Sequence, residues 1–367
     1  VLIAADKFKG SLTAVQVAEH VAAGLRRARP GLAVTALPVA DGGDGTVDAA
    51  VAAGFERRTV RVTGPLGEPV EAAYALRGGT AVVEMAEASG LRHLPPGVFA
   101  PRTATTYGTG ELLRAALDAG ARTVVLGVGG SATTDGGAGM LSALGARLLT
   151  AEGAPVAPGG GGLAELASAD LTGLDPRLAG TEVVLASDVD NPLLGPAGAA
   201  AVYGPQKGAA PEDVAALDAA LARFVRVLDA AAAAEAPGAG AAGGVGFGAL
   251  VGLRAAFRPG IEVMLDVLGF EAALRGASLV ITGEGSLDAQ TLHGKAPVGV
   301  AQAAALHGVP VAAVCGRLAL PPSALAAAGI PHAYALSTLE PDPAKSIATA
   351  GPLLETLSAT LAQDLLP

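Results

Sequence analysis

Five of the 24 basic residues are lysines, and four of these, Lys7, Lys9, Lys207 and Lys295, lie in or beside loops rich in glycine and small polar residues. A compact ammonium on a flexible stem suits a phosphoryl group that moves, whereas the rigid fork of arginine suits static planar recognition. Any one such lysine is equally well explained as a surface charge; four together point to an anionic ligand. Carboxylates accompany them. In Asp6-Lys7-Phe8-Lys9-Gly10-Ser11-Leu12-Thr13 the chain leaves an apolar strand and enters a helix, where phosphate or carboxylate binds helix amides, although Ser11 or Thr13 also serves as the helix cap. Asp41-Gly42-Gly43-Asp44-Gly45-Thr46 sets two carboxylates among three glycines, a pattern that holds Mg2+ through water, binds sugar-like hydroxyls, or simply makes a tight turn. Gly129-Gly130-Ser131-Ala132-Thr133-Thr134-Asp135 precedes a helix, so its amides and hydroxyls can cradle phosphates, with Asp135 equally suited to capping that helix. Ser187-Asp188-Val189-Asp190-Asn191-Pro192 closes another apolar strand. A fifth loop is expected at Thr282-Gly283-Glu284-Gly285-Ser286-Leu287-Asp288, followed by Gly294-Lys295.

Common designs for such chemistry do not fit. Gly294-Lys295 lacks Walker spacing and is followed by Ala296 in place of Ser or Thr, and no H-R-D or D-F-G set is present. Gly127, Gly129 and Ala132 match G-x-G-x-x-A, but Asp135-Gly136-Gly137 prolongs the loop where a dinucleotide fingerprint opens straight into a helix. The Asp188 run lacks the glycine and distal Glu of a calcium-binding hand. His93, His293, His307 and His332 accompany no G-x-S-x-G nucleophile and read as loop or surface residues, and the five histidines show no metal-ligand spacing. The lone Cys315 excludes an intramolecular disulfide and a thiolate cage and fits a reducing, cytoplasmic setting. A formal charge of -10 argues against nonspecific attraction to nucleic acid or an anionic membrane. The mean hydropathy of +0.49 owes much to alanine, and the uncharged stretches at 236–253 and 296–316 are broken by glycine or proline, so neither reads as a bilayer span. Val1 to Asp6 begins as a strand, without a basic segment or apolar signal core.

These loops need a frame. Short apolar runs rich in β-branched residues alternate with stretches of helical period, the pattern of an α/β protein with a parallel sheet and crossover helices. Strands are expected at Val1–Ala5, Ala33–Leu37, Ala81–Met85, Thr123–Val128, Glu182–Ala186, Leu279–Thr282, Val309–Val314 and His332–Ala335. Helices are expected at 110–119, 137–144, 211–233, 297–306 and 344–363. A first helix follows Thr13, which forms a capping box with Gln16 and leads a face of Val17, Ala18, Val21, Leu25 and Ala28. Val60, Val62 and Val70 alternate around Gly64-Pro65-Leu66-Gly67 as in an antiparallel excursion. Ala230 to Gly244 reads as an alanine-rich helix end running into a flexible, solvent-exposed glycine loop. The expected organisation is a discontinuous Rossmann-like or flavodoxin-like domain of residues 1–65 and 275–367, with a second α/β domain inserted at 66–274.

Taken in order, Asp6–Ser11, Asp41–Thr46, Thr105-Thr106-Tyr107-Gly108, Gly129–Gly139, Ser187–Leu193, Gly204–Gly208 and Gly283–Lys295 resemble the bacterial glycerate kinase family that is unrelated to P-loop and protein kinases. The resemblance spans nearly the whole chain, and the combination of motifs is specific although each glycine loop alone is not. It implies two α/β domains with a site in the cleft between them, and transfer from ATP with Mg2+ to D-glycerate, usually at the 2-hydroxyl, with the 3-hydroxyl as the alternative. Lys7 stands where the family more often has Ser, Thr134 where Asn is common and Ser187 where Cys is frequent; Lys9 is therefore preferred to Lys7, and Ser131 and Asp135 to Thr134. Phosphoryl transfer needs in-line positioning, neutralised charge and a carboxylate for the alcohol. On this reading Asp188 is the general base or a metal-linked carboxylate, with Asp44 the other candidate for the metal. Lys9, as a catalytic cation, and Lys207 or Lys295 steady the phosphates, and Gly129, Gly130, Ser131, Thr133 and Asp135 form the cradle. Asp6, Lys7, Ser11, Asp41, Asp44, Glu284 and Asp288 face the substrate. A homo-oligomer is compatible with this reading. A nicotinamide-dependent hydroxy-acid oxidoreductase and a noncatalytic metabolite sensor are the competing classes.

Overall fold

The computed structural model describes residues 1–366, the side chain of His293 excepted. The chain divides into two compact units. One comprises Val1–Asp41, Asp48–Gly54 and residues 259–366; the other comprises Gly42–Val47 and Phe55–Arg258.

The first unit is built on a parallel sheet of β1 (Leu2–Ala5), β2 (Thr35–Ala36), β11 (Val280–Leu287), β12 (Val311–Leu318) and β13 (His332–Ala335), in the order β13-β12-β11-β1-β2. Leu2, Ile3, Ala4 and Ala5 are fully buried, as an unbroken apolar run must be in a parallel strand covered on both faces. From β1 the chain steps to β2 on one side, whereas β11, β12 and β13 progress on the other. The sheet order therefore reverses between β1 and β11, and open α/β sheets place ligands outside the strand carboxyl ends at such a switch. Asp6 follows β1 there, its N–H donating to the Gly283 carbonyl at 2.9 Å. The helix Ala14–Ala28 carries the expected capping box, with Thr13 Oγ1 accepting from Gln16 N at 3.2 Å and Gln16 Oε1 accepting from Thr13 N at 2.9 Å. It packs on the helix Ala350–Leu365 so closely that a Cβ on Gly24 would lie 2.2 Å from the Glu355 carbonyl oxygen.

In the second unit a six-stranded sheet runs β10-β9-β6-β5-β4-β3, from β3 (Glu56–Thr63), β4 (Pro69–Arg77), β5 (Thr80–Glu84), β6 (Thr123–Gly127), β9 (Glu182–Ala186) and β10 (Ala256–Arg258). Strands β5, β6, β9 and β10 are parallel; β4 is antiparallel to β3 and β5, as the valine alternation around Gly64–Gly67 predicts. A separate hairpin pairs β7 (Arg147–Leu149) with β8 (Ser168–Asp170). The core includes Phe224 and Phe247, whose rings meet edge to face at 5.6 Å.

Several expectations change. Gly283 to Leu287 is not a loop: β11 continues through it, pairing Glu284 with Cys315 and Ser286 with Arg317. Glycine here serves close approach, since a Cβ on Gly283 would lie 2.2 Å from the Val314 carbonyl oxygen. The glycine-rich stretch to residue 244 is not a solvent-exposed flexible loop either. Gly243 and Gly244 are buried with left-handed φ of 70° and 92°, and a Cβ on Gly243 would lie 2.0 Å from the Thr133 carbonyl oxygen. The run is glycine because another backbone lies against it. The helix expected over 211–233 ends at Leu228, where Asp229 turns left-handed, and resumes at Ala231–Glu235. Ala344 to Gln363 is likewise two helices, Pro343–Ala348 and Ala350–Leu365.

Candidate active site

In the second unit, parallel strands β5, β6 and β9 end together, with Glu84 paired to Gly127 and Gly127 to Ala186. Over these ends lies the turn Gly42–Thr46, in contact so close that only glycine fits. A Cβ on Gly42 would come within 2.6 Å of the Ala186 carbonyl oxygen, and one on Gly127 within 2.6 Å of the Gly42 carbonyl oxygen. A Cβ on Gly129 would lie 2.5 Å from Gly43 Cα, and one on Gly130 would overlap Asp44 Oδ1. The Asp44 carboxylate thus occupies the space that a side chain at 130 would take. Asp188 is exposed just beyond β9, where Ser187 Oγ accepts from Val189 N at 3.3 Å and turns the strand exit.

The loop after β6 is anchored from within. Lys207 is buried, its ammonium donating to Ser131 Oγ at 2.7 Å and to the Thr133 carbonyl at 2.6 Å. Desolvation lowers its pKa to about 7, with the Asp135 carboxylate opposing the shift. Asp135 is also fully buried: it accepts from Thr106 N at 2.9 Å, Thr106 Oγ1 at 2.8 Å, Gly137 N at 3.1 Å and Gly139 N at 3.2 Å. Burial raises its pKa against those bonds. Asp135 therefore accepts from the amides of Gly137, the N-cap of the helix Ala138–Ala143, and of Gly139 in its first turn, and ties them to Thr106. Gly129 and Gly130 stay accessible at the head of the loop, whereas Ser131, Thr133 and Thr134 are buried behind them.

In the first unit Asp6, Asp41 and Glu284 form an acidic group with Lys7 beside it. Asp6 is nearly buried, and its pKa is pushed up to about 7, chiefly by desolvation and then by the Asp41 charge, against Lys7. Its Oδ1 accepts from Lys7 N at 2.6 Å. Glu284 Oε1 accepts from Thr291 Oγ1 at 2.5 Å, and its Oε2 lies 3.9 Å from Lys295 Nζ; burial raises its pKa. Lys9 is exposed, on backbone that passes Gly285 closely enough to put a Cβ there 3.2 Å from Lys9 N. Two expected substrate residues already have structural tasks. Ser11 donates to the Ile347 carbonyl at 3.2 Å, and Asp288 caps the short helix Ala289–His293 by accepting from Gln290 N at 2.9 Å.

Sequence reasoning passed over Glu84. It is 1% exposed at the end of β5, accepts from Gly45 N at 3.0 Å and Val47 N at 3.3 Å, and has its pKa raised to about 7 by burial. The available signal was an acidic residue closing the otherwise apolar run Ala81-Val82-Val83. Among the described residues no group of three or more His, Cys, Asp or Glu could hold a metal ion unaided, and no helix is long and apolar enough to cross a membrane.

A family model described as the glycerate kinase family matches residues 1–366. Glycerate kinase of Bacillus subtilis (strain 168) is 47% identical over 342 residues, covering 92% of this chain and 90% of that protein. The Escherichia coli (strain K12) protein named glycerate 2-kinase is 45% identical over 325 residues, covering 87% and 85%. The crystal structure of a protein provisionally named glycerate kinase 2 from Salmonella typhimurium LT2 superposes with a TM-score of 0.86 at 44% identity, covering 99% of this chain and 97% of that one.

Proposed function

The chain belongs to the glycerate kinase family and is an enzyme of that family, and we propose that it transfers the γ-phosphoryl group of ATP to the 2-hydroxyl of D-glycerate. The observation that carries the reading is the convergence of the Gly42–Thr46 turn, Gly127–Gly130 and the end of β9 in glycine contacts that leave no room for side chains. Glycine at 129 and 130, accessible at the head of the loop, lets a ligand approach that backbone closely. In this reading Gly129 and Gly130 meet the phosphates directly, while Lys207, Ser131, Thr133 and Asp135 hold the loop in shape. Lys9 and Lys295 supply mobile positive charge. Asp6, Asp41 and Glu284, with Lys7, orient the glycerate hydroxyls and carboxylate, and Ser11 and Asp288 shape the loops around them.

Asp188 accepts the proton of the 2-hydroxyl as that oxygen bonds to Pγ and the bond from Pγ to the β-phosphate oxygen breaks, leaving ADP and 2-phosphoglycerate. The donor set also fits a Mg2+ that arrives with the nucleotide, because such an ion needs only one or two protein carboxylates beside phosphate oxygens, and Asp44 and Asp188 can supply them. When bound, it would neutralise charge on the transferring group. A cytoplasmic location accords with the single, buried Cys315.

The test is a coupled assay of ADP release across glycerate and related hydroxy acids, with phosphorus NMR of the product. Glycerate with phosphate on the 2-oxygen is expected; phosphate on the 3-oxygen would correct the position, and no ADP with glycerate would end the reading. Asp188→Ala should lose roughly 10²- to 10⁴-fold in turnover, and near-normal turnover would remove Asp188 from the mechanism.

A further inference from the structure

The buried carboxylate of Glu84 is not explained by folding alone. Taking a carboxylate out of water costs several kcal/mol unless bonds and countercharge replace the solvent. Here both backbone bonds fall on Oε2, from Gly45 N at 3.0 Å and Val47 N at 3.3 Å, while Oε1 is buried without a hydrogen-bond partner. The nearest cation, Arg92, is committed elsewhere. Its Nη2 lies 2.6 Å from Glu87 Oε1, against 3.7 Å from Glu84 Oε1, and its Nε donates to the Ala86 carbonyl at 3.0 Å. Nor does the seven-residue helix Thr46–Ala52 need so costly a cap, since a serine or aspartate within the turn would serve. What Glu84 holds is the turn itself. Gly42 and Gly45 are left-handed, at φ of 88° and 93°, and Thr46 Oγ1 donates to the Gly43 carbonyl at 2.6 Å.

We propose that Glu84 is a positioning residue of the active site: by binding the amides of Gly45 and Val47 it pins the Gly42–Thr46 turn to the end of β5 and so aims the Asp44 carboxylate over Gly130. The inference rests on the reading of Asp44 as a site residue. Glu84 itself touches no reactant.

The experiment compares Glu84→Ala, Glu84→Gln, Asp44→Ala and the double variant Glu84→Ala/Asp44→Ala in the full chain, by amide hydrogen exchange over residues 42–47 and by steady-state kinetics with glycerate and Mg·ATP. A carboxamide oxygen can accept both bonds, so Glu84→Gln should keep exchange at Gly45 and Val47 near the wild-type rate, whereas Glu84→Ala should speed it at least about tenfold. Displacing a site group by about an ångström costs up to roughly 100-fold, so Glu84→Ala should lower kcat/KM for glycerate about 10- to 100-fold, with Glu84→Gln recovering to within about threefold. In the Asp44→Ala background the same change should cost less than about twofold, because a residue acting through Asp44 has nothing left to aim. Equal losses in Glu84→Gln and Glu84→Ala would make the charge itself the requirement and overturn the proposal. So would a full further loss in the double variant, or unchanged exchange in Glu84→Ala. If the wild-type protein phosphorylates no glycerate, the functional reading fails, and the exchange comparison still decides whether Glu84 anchors the turn.

Discussion

Lys207 shapes the Gly129–Gly130 loop from behind rather than at its surface. Its ammonium donates to Ser131 Oγ and the Thr133 carbonyl, deep behind the accessible Gly129 and Gly130. Replacing it with methionine keeps the stem but deletes two charge-assisted bonds, a loss of roughly 1.5–3 kcal/mol each at most. It also removes a buried charge whose desolvation opposes folding by a comparable amount. The two effects nearly cancel in stability, but only the first shapes the loop. Lys207→Met is therefore expected to melt within a few degrees of wild type while raising KM for ATP more than about tenfold. An unchanged KM, measured beside the melting curve, would show that the loop keeps its form without its anchor.

At the scale of elements, steric fit overrules propensity where the helices Ala14–Ala28 and Ala350–Leu365 cross. Glycine inside a helix costs about 1 kcal/mol relative to alanine, so Gly24→Ala judged by propensity alone should stabilise. The added methyl would meet Glu355 carbonyl oxygen at 2.2 Å and Ser358 Cβ at 2.8 Å, and backbone cannot step aside. Overpacking of this kind costs about 1–3 kcal/mol, so Gly24→Ala should lower the melting temperature, whereas Gly31→Ala, with open space around it, should not. A rise for Gly24→Ala would mean that the helices separate freely. Gly24 also marks the boundary of what sequence could tell. The capping box at Thr13 and Gln16, the buried β1 run and the hairpin around Gly64–Gly67 are local patterns, legible without the fold. Glycines at 243, 244 and 283 look like flexible loops in sequence, yet each is fixed by a backbone far away along the chain. The same distinction runs through the site: the bonds of Asp135 to Thr106 and of Glu84 to Gly45 and Val47, 39 and 37 residues away, join segments that no local pattern connects.

For the molecule as a whole, buried titrating groups set how stability follows pH. Asp6 is held near pKa 7 in the folded protein by burial and by Asp41 and Glu284, with Lys7 opposing, and returns to an ordinary carboxyl on unfolding. Between about pH 4 and 7 the folded chain thus keeps a proton that the unfolded chain has released, and raising pH favours unfolding. Glu84, also raised to about 7, acts in the same sense. Lys207 works oppositely. Its folded pKa of about 7 lies below the ordinary 10.5, so above pH 7 the unfolded chain binds the extra proton and raising pH favours folding. Hydrogen bonds from Thr172 and then Arg147 hold the Asp170 carboxyl low, as Arg177 does that of Asp175, and these groups enter only in more acidic solution. The melting temperature of the ligand-free protein should therefore fall from pH 5 to a minimum near 7 and rise again toward 9. Calorimetry of Asp6→Asn should show a shallower descent with the ascending limb intact, and Lys207→Met a flattened ascent with the descent intact. A descent that persists at full slope in Asp6→Asn would assign the acid-side behaviour to other carboxyls, because a buried asparagine has no proton to release.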